Sequence, residues 1–171
     1  RFIAAELPDT QILSVDSYLV EGLGKGSHDF NDDSPDPADP YIGGIDPKVW
    51  ELGLLERHLR QLREGHAIQV PIFNETVKDR EGYEPFEASR YVILEGGHSL
   101  TERFQPFSSY NVLLRAPFHD RLIRKIVRTH VQYGRDDIDE VIGRYLAKDE
   151  PAWTVHEPGQ AAIADQIVNN P

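Results

Sequence analysis

The feature that most constrains this chain is the alternation of short apolar runs with segments of helical periodicity. Strands separated by helices form βαβ units, whose strands run parallel. The sequence therefore predicts an α/β fold with a mostly parallel sheet flanked by helices, in a single domain over residues 1–171. The predicted strands are residues 11–15, 67–73, 91–94, 110–114 and 164–168.

The predicted helices come from spacing and from end signals. Apolar side chains spaced by three and four predict the first helix. Asp46-Pro47 has the pattern of an N-cap followed by an N1 proline, and Gly65 ends the segment. Residues 118–133 and 137–148 are two further predicted helices, and the strand at 67–73 is predicted to run into a loop. The apolar stripe of the first helix consists of Leu52, Leu55, Leu59 and Leu62.

Composition excludes several classes of protein. The net charge is −11, and binding to a phosphate backbone needs a surplus of Lys and Arg, so we expect no general nucleic-acid partner. The chain has no cysteine, which excludes a disulfide scaffold and thiol catalysis. No apolar run approaches the roughly 18 residues of a membrane span. We therefore expect a cytoplasmic protein with no membrane partner.

The first residues of the chain have the pattern of a helix end, and the sequence contains no methionine. These two features predict that a further segment precedes residue 1. Residues 1–171 are accordingly expected to be an N-terminally incomplete domain.

Basic residues concentrate in residues 115–135, which hold six bases and one acid in an otherwise acidic chain. Four of these bases, spaced by three and four, are predicted to share one broad helix face: Arg121, Arg124, Lys125 and Arg128. Guanidinium groups bind phosphate oxygens, so the segment can form an anion site. A solvated helix face is the alternative. The position of the segment before Gly134 favours a mobile lid.

Two acids directly follow apolar runs, Asp16 after residues 11–15 and Glu95 after residues 91–94. Ligands of parallel sheets bind beyond the carboxyl ends of the strands, so we expect both acids at one edge. Asp16 can accept a proton from a substrate hydroxyl during phosphoryl transfer; an Asx turn is its alternative role. Glu95 can hold Mg²⁺, directly or through water, and Gly96 allows close backbone approach to a ligand.

The order of these motifs resembles the uridine kinase and phosphoribulokinase group of P-loop kinases. The resemblance runs in order along nearly the whole chain. It implies a P-loop NTPase kinase-like fold with a basic helical lid at residues 115–135. The matching motifs are Asp16-Ser17-Tyr18, residues 31–36, Leu62-Arg63-Glu64-Gly65, residues 68–75, residues 92–96, residues 120–135, Pro151-Ala152, Pro158 and Ala164-Asp165.

The resemblance implies a uridine kinase-like enzyme that uses ATP and Mg²⁺ to phosphorylate a hydroxyl of a small metabolite, either a nucleoside or a sugar-like compound. Its implied general base is Asp16, and Glu95 is implied to support Mg²⁺. Arg124 and Arg128 are implied to clamp nucleotide phosphates when the lid closes. The residues implied to bind the acceptor substrate are Asp33, Phe73, Lys78, Arg80, Lys125 and Arg135.

The chain departs from this family in two respects. The Gly-x-x-x-x-Gly-Lys-Ser/Thr phosphate loop is absent from residues 1–171. Either the loop precedes Arg1, which we favour, or the chain does not bind ATP in the family manner. Lys78 replaces the histidine that reads the pyrimidine base, and Glu75 replaces the aromatic residue that stacks on it.

These departures leave two functions open beside a generic α/β domain with a solvated basic helix, which the ordered set of motifs disfavours. One is a kinase whose acceptor is a compound other than uridine. The other is a catalytically inactive kinase-like domain that acts as a binding or regulatory module. The sequence also leaves the oligomeric state open, with a homo-oligomer as one candidate.

Overall fold

The structure, a computed structural model, describes residues 6–20, 50–74, 79–132 and 137–170. Its backbone contacts divide the chain into two compact units. Among the described residues, the first unit comprises residues 6–20, 50–74, 79–99 and 103–108, and the second comprises residues 100–102, 109–132 and 137–170. The single kinase-like domain stays a prediction.

The first unit contains a parallel strand pair and an antiparallel hairpin. Strand β1 pairs in parallel with β4, so that Ser14 lies opposite Glu95. Strands β2 and β3 form the hairpin, with an irregularity in register between Ile72 and Phe73. In chain order its main elements are β1 (Thr10–Ser14), a short 3-10 turn that we call the Asp16 turn (Val15–Tyr18), α1 (Leu52–Arg63), β2 (Ile68–Asn74), β3 (Asp79–Phe86) and β4 (Tyr91–Glu95).

The core of the first unit forms where the apolar face of α1 meets the strands. Helix α1 buries Leu55, His58 and Leu62, which follow the predicted spacing of three and four. Strand β1 and the Asp16 turn contribute Leu13, Val15 and Tyr18, all almost fully buried. The remaining buried members of this core are Ile68, Val70 and Phe104.

The second unit contains a parallel pair and a series of helices. Strand β5 pairs with β6, with Val112 opposite Gln166. Val141, Tyr145 and Ala152 are buried among its helices. In chain order its elements are β5 (Val112–Arg115), α2 (Phe118–Ile126) with a π-helical continuation (Val127–Gln132), α3 (Ile138–Arg144) with a second one (Tyr145–Asp149), α4 (Glu150–Ile163) and β6 (Gln166–Asn169).

The predicted α/β class, with parallel strands and helices, is confirmed by these elements. The predicted N-cap pair Asp46-Pro47 lies outside the described residues, but no continuous helix runs from it, because residues 50 and 51 are not helical and α1 begins at Leu52. Trp50 instead forms a β-bridge with Leu19, and the Glu51 N–H donates to the Tyr18 carbonyl at 2.7 Å. These tertiary contacts hold both residues outside the helix.

Two elements were missed by sequence reasoning. Strand β3 has the sequence DREGYEPF, whose glycine, proline and charges disfavour a strand by local rules. Its pairing with β2 overrides those preferences. Helix α4 contains Pro158 in its interior, a position that normally breaks a helix. None of the described helices is long and apolar enough to cross a membrane.

Gly96 allows the carboxyl ends of β1 and β4 to approach closely. Its φ of 128° lies in a region that side-chain-bearing residues rarely adopt. A Cβ at this position would lie 3.0 Å from the Val15 Cβ. Backbone conformation and space therefore both require glycine directly after Glu95.

We expect Gly96→Ala to lower the free energy of unfolding by about 1–3 kcal/mol, because the new methyl group combines backbone strain with a clash. Gly143→Ala is the matched control, since a Cβ there meets nothing within 4 Å and the site lies in α3. The control should be neutral or stabilising by up to about 1 kcal/mol. Urea denaturation of both variants measures the difference, and equal effects would contradict the steric argument.

Candidate active site

Asp16 and Glu95 lie at the same carboxyl edge of the parallel pair β1–β4. Glu95 ends β4 opposite Ser14, and Asp16 follows Ser14 by two residues in the Asp16 turn. Both acids are exposed. This edge therefore presents two carboxylates to solvent.

The side chains at this edge could supply some, but not all, of the oxygen ligands of a Mg²⁺ ion. Mg²⁺ prefers oxygen ligands and is usually bound by one or two carboxylates together with waters and substrate phosphates. Asp16 and Glu95 supply such carboxylates. The described residues contain no cluster of three or more His, Asp or Glu side chains that could hold a metal alone. Phosphate and water oxygens would have to complete the coordination.

The Asp16 turn is held from inside the core by its flanking residues. Val15 and Tyr18 are completely buried, one on each side of the exposed Asp16. The Tyr18 hydroxyl lies 2.9 Å from Nδ1 of His58 in α1. The two rings also meet edge-on, with centroids 5.6 Å apart. The backbone that carries Asp16 is thus fixed by packing and by a buried hydrogen bond.

Burial sets the protonation of this pair. It raises the pKa of the Tyr18 hydroxyl, which stays protonated at neutral pH. Burial also lowers the pKa of His58, and the neighbouring Arg57 charge lowers it further. A neutral His58 can accept the Tyr18 hydrogen bond at Nδ1, whereas a protonated one cannot.

Arg80 and Phe73, both predicted acceptor-side residues, are register partners in the hairpin. The Arg80 side chain is only 6% exposed and pairs with Glu51 Oε2 at 2.9 Å. Burial alone would lower the pKa of Arg80, but hydrogen bonds and charge from Glu51 and Tyr83 outweigh it, so that the pKa is raised. Arg80 is therefore a permanently charged group inside the first unit. Asp33, Lys78 and Arg135 lie outside the described residues.

The predicted basic face of the second unit is divided into two parts. Arg121 pairs with Glu150 at 2.5 Å, and Lys125 pairs with Asp149 at 3.0 Å. Arg124 and Arg128 are exposed instead. Asp149 and Glu150, where the second π-helical segment meets α4, therefore neutralise Lys125 and Arg121, whereas Arg124 donates to the Asn170 carbonyl at 3.4 Å. The roles of Lys125, Arg124 and Arg128 in substrate binding stay predictions, as does the mobile lid.

The second unit also contains a cavity of about 730 Å³. Arg121 lies over the Trp153 ring, 5.0 Å from its centroid, at the wall of this cavity. Arg115 pairs with Glu157 on the same wall. Sequence reasoning missed these acidic partners, because α4 itself was not predicted.

Sequence reasoning also missed Glu51 and His58. A histidine on the leucine-rich face of α1 was a signal for His58, since a polar group on a buried face needs a partner. Glu51 gave no such signal, because its partner Arg80 is 29 positions away.

The comparison with known proteins decides the family. Residues 38–170 match the Phosphoribulokinase / Uridine kinase family. The chain belongs to this family. The uridine kinase of Lactobacillus johnsonii is 30% identical over 169 residues, which cover 97% of this chain and 78% of that protein. The family resemblance is therefore confirmed.

Other relatives of the family are longer than the region they share with this chain. The inorganic pyrophosphatase TTM2 of Arabidopsis thaliana is 27% identical over 166 residues, which make up 95% of this chain and 22% of that protein. For the uridine kinase of Aeromonas salmonicida, the match covers 58% of the relative. The chain thus spans about a fifth of the length of the first relative and about three fifths of the length of the second.

Solved structures of the family show the same fold. Phosphoribulokinase from Rhodobacter spheroides has a TM-score of 0.56 at 16% identity, with 86% of this chain and 58% of that chain covered. A possible uridine kinase from Bacillus stearothermophilus has a TM-score of 0.53 at 16% identity, with 93% and 71% covered. The kinase fold predicted from the order of motifs is confirmed by these likenesses.

The neutral His58 makes the stability of this family member depend on pH. The unfolded chain protonates His58 near its ordinary pKa of about 6.5, whereas the folded chain resists protonation to lower pH. The contribution of neutral His58 to the free energy of unfolding is therefore complete above about pH 6.5 and is lost as the pH falls below that value. We expect His58→Asn, which keeps a hydrogen-bonding group near Tyr18, to reduce this pH dependence.

Urea midpoints of parent and variant between pH 8 and pH 5 measure this effect. Taking the difference between the two proteins separates His58 from His156, whose pKa is also lowered by burial. Identical slopes for parent and variant below pH 6.5 would contradict the assignment of a neutral buried His58.

Proposed function

We propose that this chain forms part of an ATP-dependent kinase that phosphorylates a hydroxyl of a small metabolite, either a nucleoside or a sugar-like compound. The observation that carries the proposal is the pair of exposed carboxylates, Asp16 and Glu95, at one edge of β1–β4. Membership of the phosphoribulokinase and uridine kinase family supports it. The comparisons give no support to the inactive-module alternative.

The reaction needs a base, charge neutralisation and exact positioning. Asp16 accepts the hydroxyl proton of the acceptor while the acceptor oxygen bonds to the γ-phosphorus. The bond between the γ-phosphorus and the bridging oxygen breaks, and ADP leaves with that electron pair. Glu95, directly or through a water, would hold Mg²⁺, which neutralises charge on phosphate oxygens when it is bound. Arg124 and Arg128 would contact nucleotide phosphates through their exposed guanidinium groups.

The other partners follow from the same proposal. The acceptor side would comprise Asp33, Phe73, Lys78, Lys125 and Arg135. A nucleotide and a small hydroxyl compound are the proposed ligands, and the acidic net charge of −11 disfavours nucleic acid. A cytoplasmic location and a homo-oligomeric state stay predictions.

We expect Asp16→Asn to abolish turnover in the full-length protein while ATP binding stays nearly intact. Asparagine keeps the shape of the side chain but cannot accept the hydroxyl proton. General-base assistance is worth about 10²–10⁴-fold in rate, so the loss should appear in kcat. Steady-state kinetics and calorimetric ATP titration measure the two effects.

Asp139→Asn is the matched control, because Asp139 is an exposed acid in the first turn of α3. It should leave kcat within about twofold of the parent, the scale of a surface substitution. If Asp16 serves only as an Asx-turn residue, asparagine replaces it well. A rate for Asp16→Asn within a few-fold of the parent would therefore remove Asp16 from the mechanism.

We expect uridine to be a poor acceptor, because Lys78 and Glu75 occupy the positions at which the family reads and stacks the base. A cation cannot reproduce the donor and acceptor pair of a neutral ring, and sites built on such pairs discriminate strongly. Phosphotransfer assays against nucleosides and sugar-like alcohols test this. The double variant Lys78→His with Glu75→Phe should raise uridine turnover, and efficient uridine phosphorylation by the parent would contradict the prediction.

A further inference from the structure

We propose that Arg80 is a positioning residue for Asp16, and that it acts through the backbone of the Asp16 turn with Glu51 as its partner. The resemblance implied a different role, a direct contact with the acceptor. The part of the inference that concerns catalysis rests on the proposed function. The part that concerns the geometry of the turn does not.

The contacts of Arg80 lead directly to the segment that carries Asp16. Its Nη2 donates to the Leu19 carbonyl at 3.1 Å and to Glu51 Oε2 at 2.9 Å. The backbone N–H of Glu51 donates to the Tyr18 carbonyl at 2.7 Å. The Arg80 side chain therefore holds the Leu19 carbonyl, and the backbone of its partner Glu51 holds the preceding Tyr18 carbonyl.

Burial makes this arrangement rigid. The Arg80 side chain is 6% exposed, and Glu51 is 37% exposed. A buried cation is costly unless its charge and its N–H groups have partners, so the pair cannot separate cheaply. The planar guanidinium also presents its donors in a fixed fork, which matches a carbonyl and a carboxylate at the same time.

The remaining contacts of Arg80 limit what it can offer an acceptor. Nη1 donates to the Tyr83 hydroxyl at 3.2 Å, and the guanidinium lies over the Tyr83 ring, 5.6 Å from its centroid. Both terminal nitrogens thus have protein partners. The buried Nε has no hydrogen-bond partner among the described residues. A direct acceptor contact would have to use Nε or the second N–H of Nη1, and it would affect KM.

The turn is consequently attached to two other segments of the first unit. Tyr18 and His58 hold it from the core, and Arg80 with Glu51 holds its last carbonyls from the hairpin side. Asp16 precedes these attachments by two and three residues, and its side chain is exposed. A small shift in the backbone would move the Asp16 carboxylate relative to the acceptor hydroxyl. Such a misplacement lowers kcat more than it weakens acceptor binding.

Arg80→Lys tests the proposal, because it keeps the charge and removes the fork. Arg90→Lys is the matched control: Arg90 is exposed and lies 5.3 Å from the Tyr91 ring centroid. In the full-length protein we expect Arg80→Lys to lower kcat about 10–100-fold with the acceptor KM within about twofold, and Arg90→Lys to change neither. Glu51→Gln should lower kcat in the same direction by less. A rise in KM at constant kcat would overturn the proposal in favour of acceptor contact.

A second measurement does not depend on activity. Amide hydrogen exchange by NMR follows the Glu51 N–H, and carbon-13 NMR follows the Asp16 carboxyl group. We expect Arg80→Lys to speed Glu51 exchange at least about tenfold and to shift the Asp16 signal, with neither change in Arg90→Lys. Unchanged exchange and an unchanged Asp16 signal in Arg80→Lys would overturn the proposal.

The two measurements separate the two hypotheses. If the parent phosphorylates no compound of the acceptor panel, the proposed function fails, and the NMR measurement alone decides whether Arg80 holds the turn. If Arg80→Lys does not fold, Glu51→Gln provides the same kinetic and NMR readouts, because it weakens the same ion pair. Unchanged kcat, exchange and Asp16 signal in folded Glu51→Gln would then overturn the proposal.

Discussion

The close approach of Gly96 to Val15 is the contact on which the candidate site depends. The parallel register of β1 and β4 places Ser14 opposite Glu95. The chain after β4 passes so close to Val15 that a Cβ at position 96 would lie 3.0 Å from the Val15 Cβ. A side chain at position 96 would press on Val15 at the edge of the sheet where Asp16 and Glu95 lie.

Buried polar contacts supply the rigidity that apolar packing alone does not. An apolar core holds side chains at the right depth, but hydrogen bonds to individual atoms select one backbone conformation. Tyr18 with His58 and Arg80 with Glu51 do this for the Asp16 turn. Both pairs join residues that are far apart in sequence, so the turn is set by the folded unit and not by its own four residues.

Charge is organised by pairing in the second unit. The start of α4 supplies Asp149 and Glu150, which neutralise Lys125 and Arg121. Arg124 and Arg128 keep their exposure on the same helix and its continuation. The basic stretch of the sequence is thus divided into an ion-paired part, Arg121 and Lys125, and an exposed part, Arg124 and Arg128. Within the exposed part, Arg124 also donates to the Asn170 carbonyl at 3.4 Å.

The sequence by itself determined the α/β class, the two strands after which Asp16 and Glu95 lie at one edge, and the family, because apolar periodicity and motif order are local and ordered along the chain. Only the tertiary structure decided three other features: the start of α1, the existence of β3 and the contacts of Arg80. Trp50 and Glu51 are held outside the helix by contacts with Leu19 and Tyr18. Strand β3 forms against its local propensity because β2 provides its hydrogen-bond partners. Arg80 and Glu51 meet across 29 positions, and no spacing rule relates residues whose distance is set by how the chain folds back on itself.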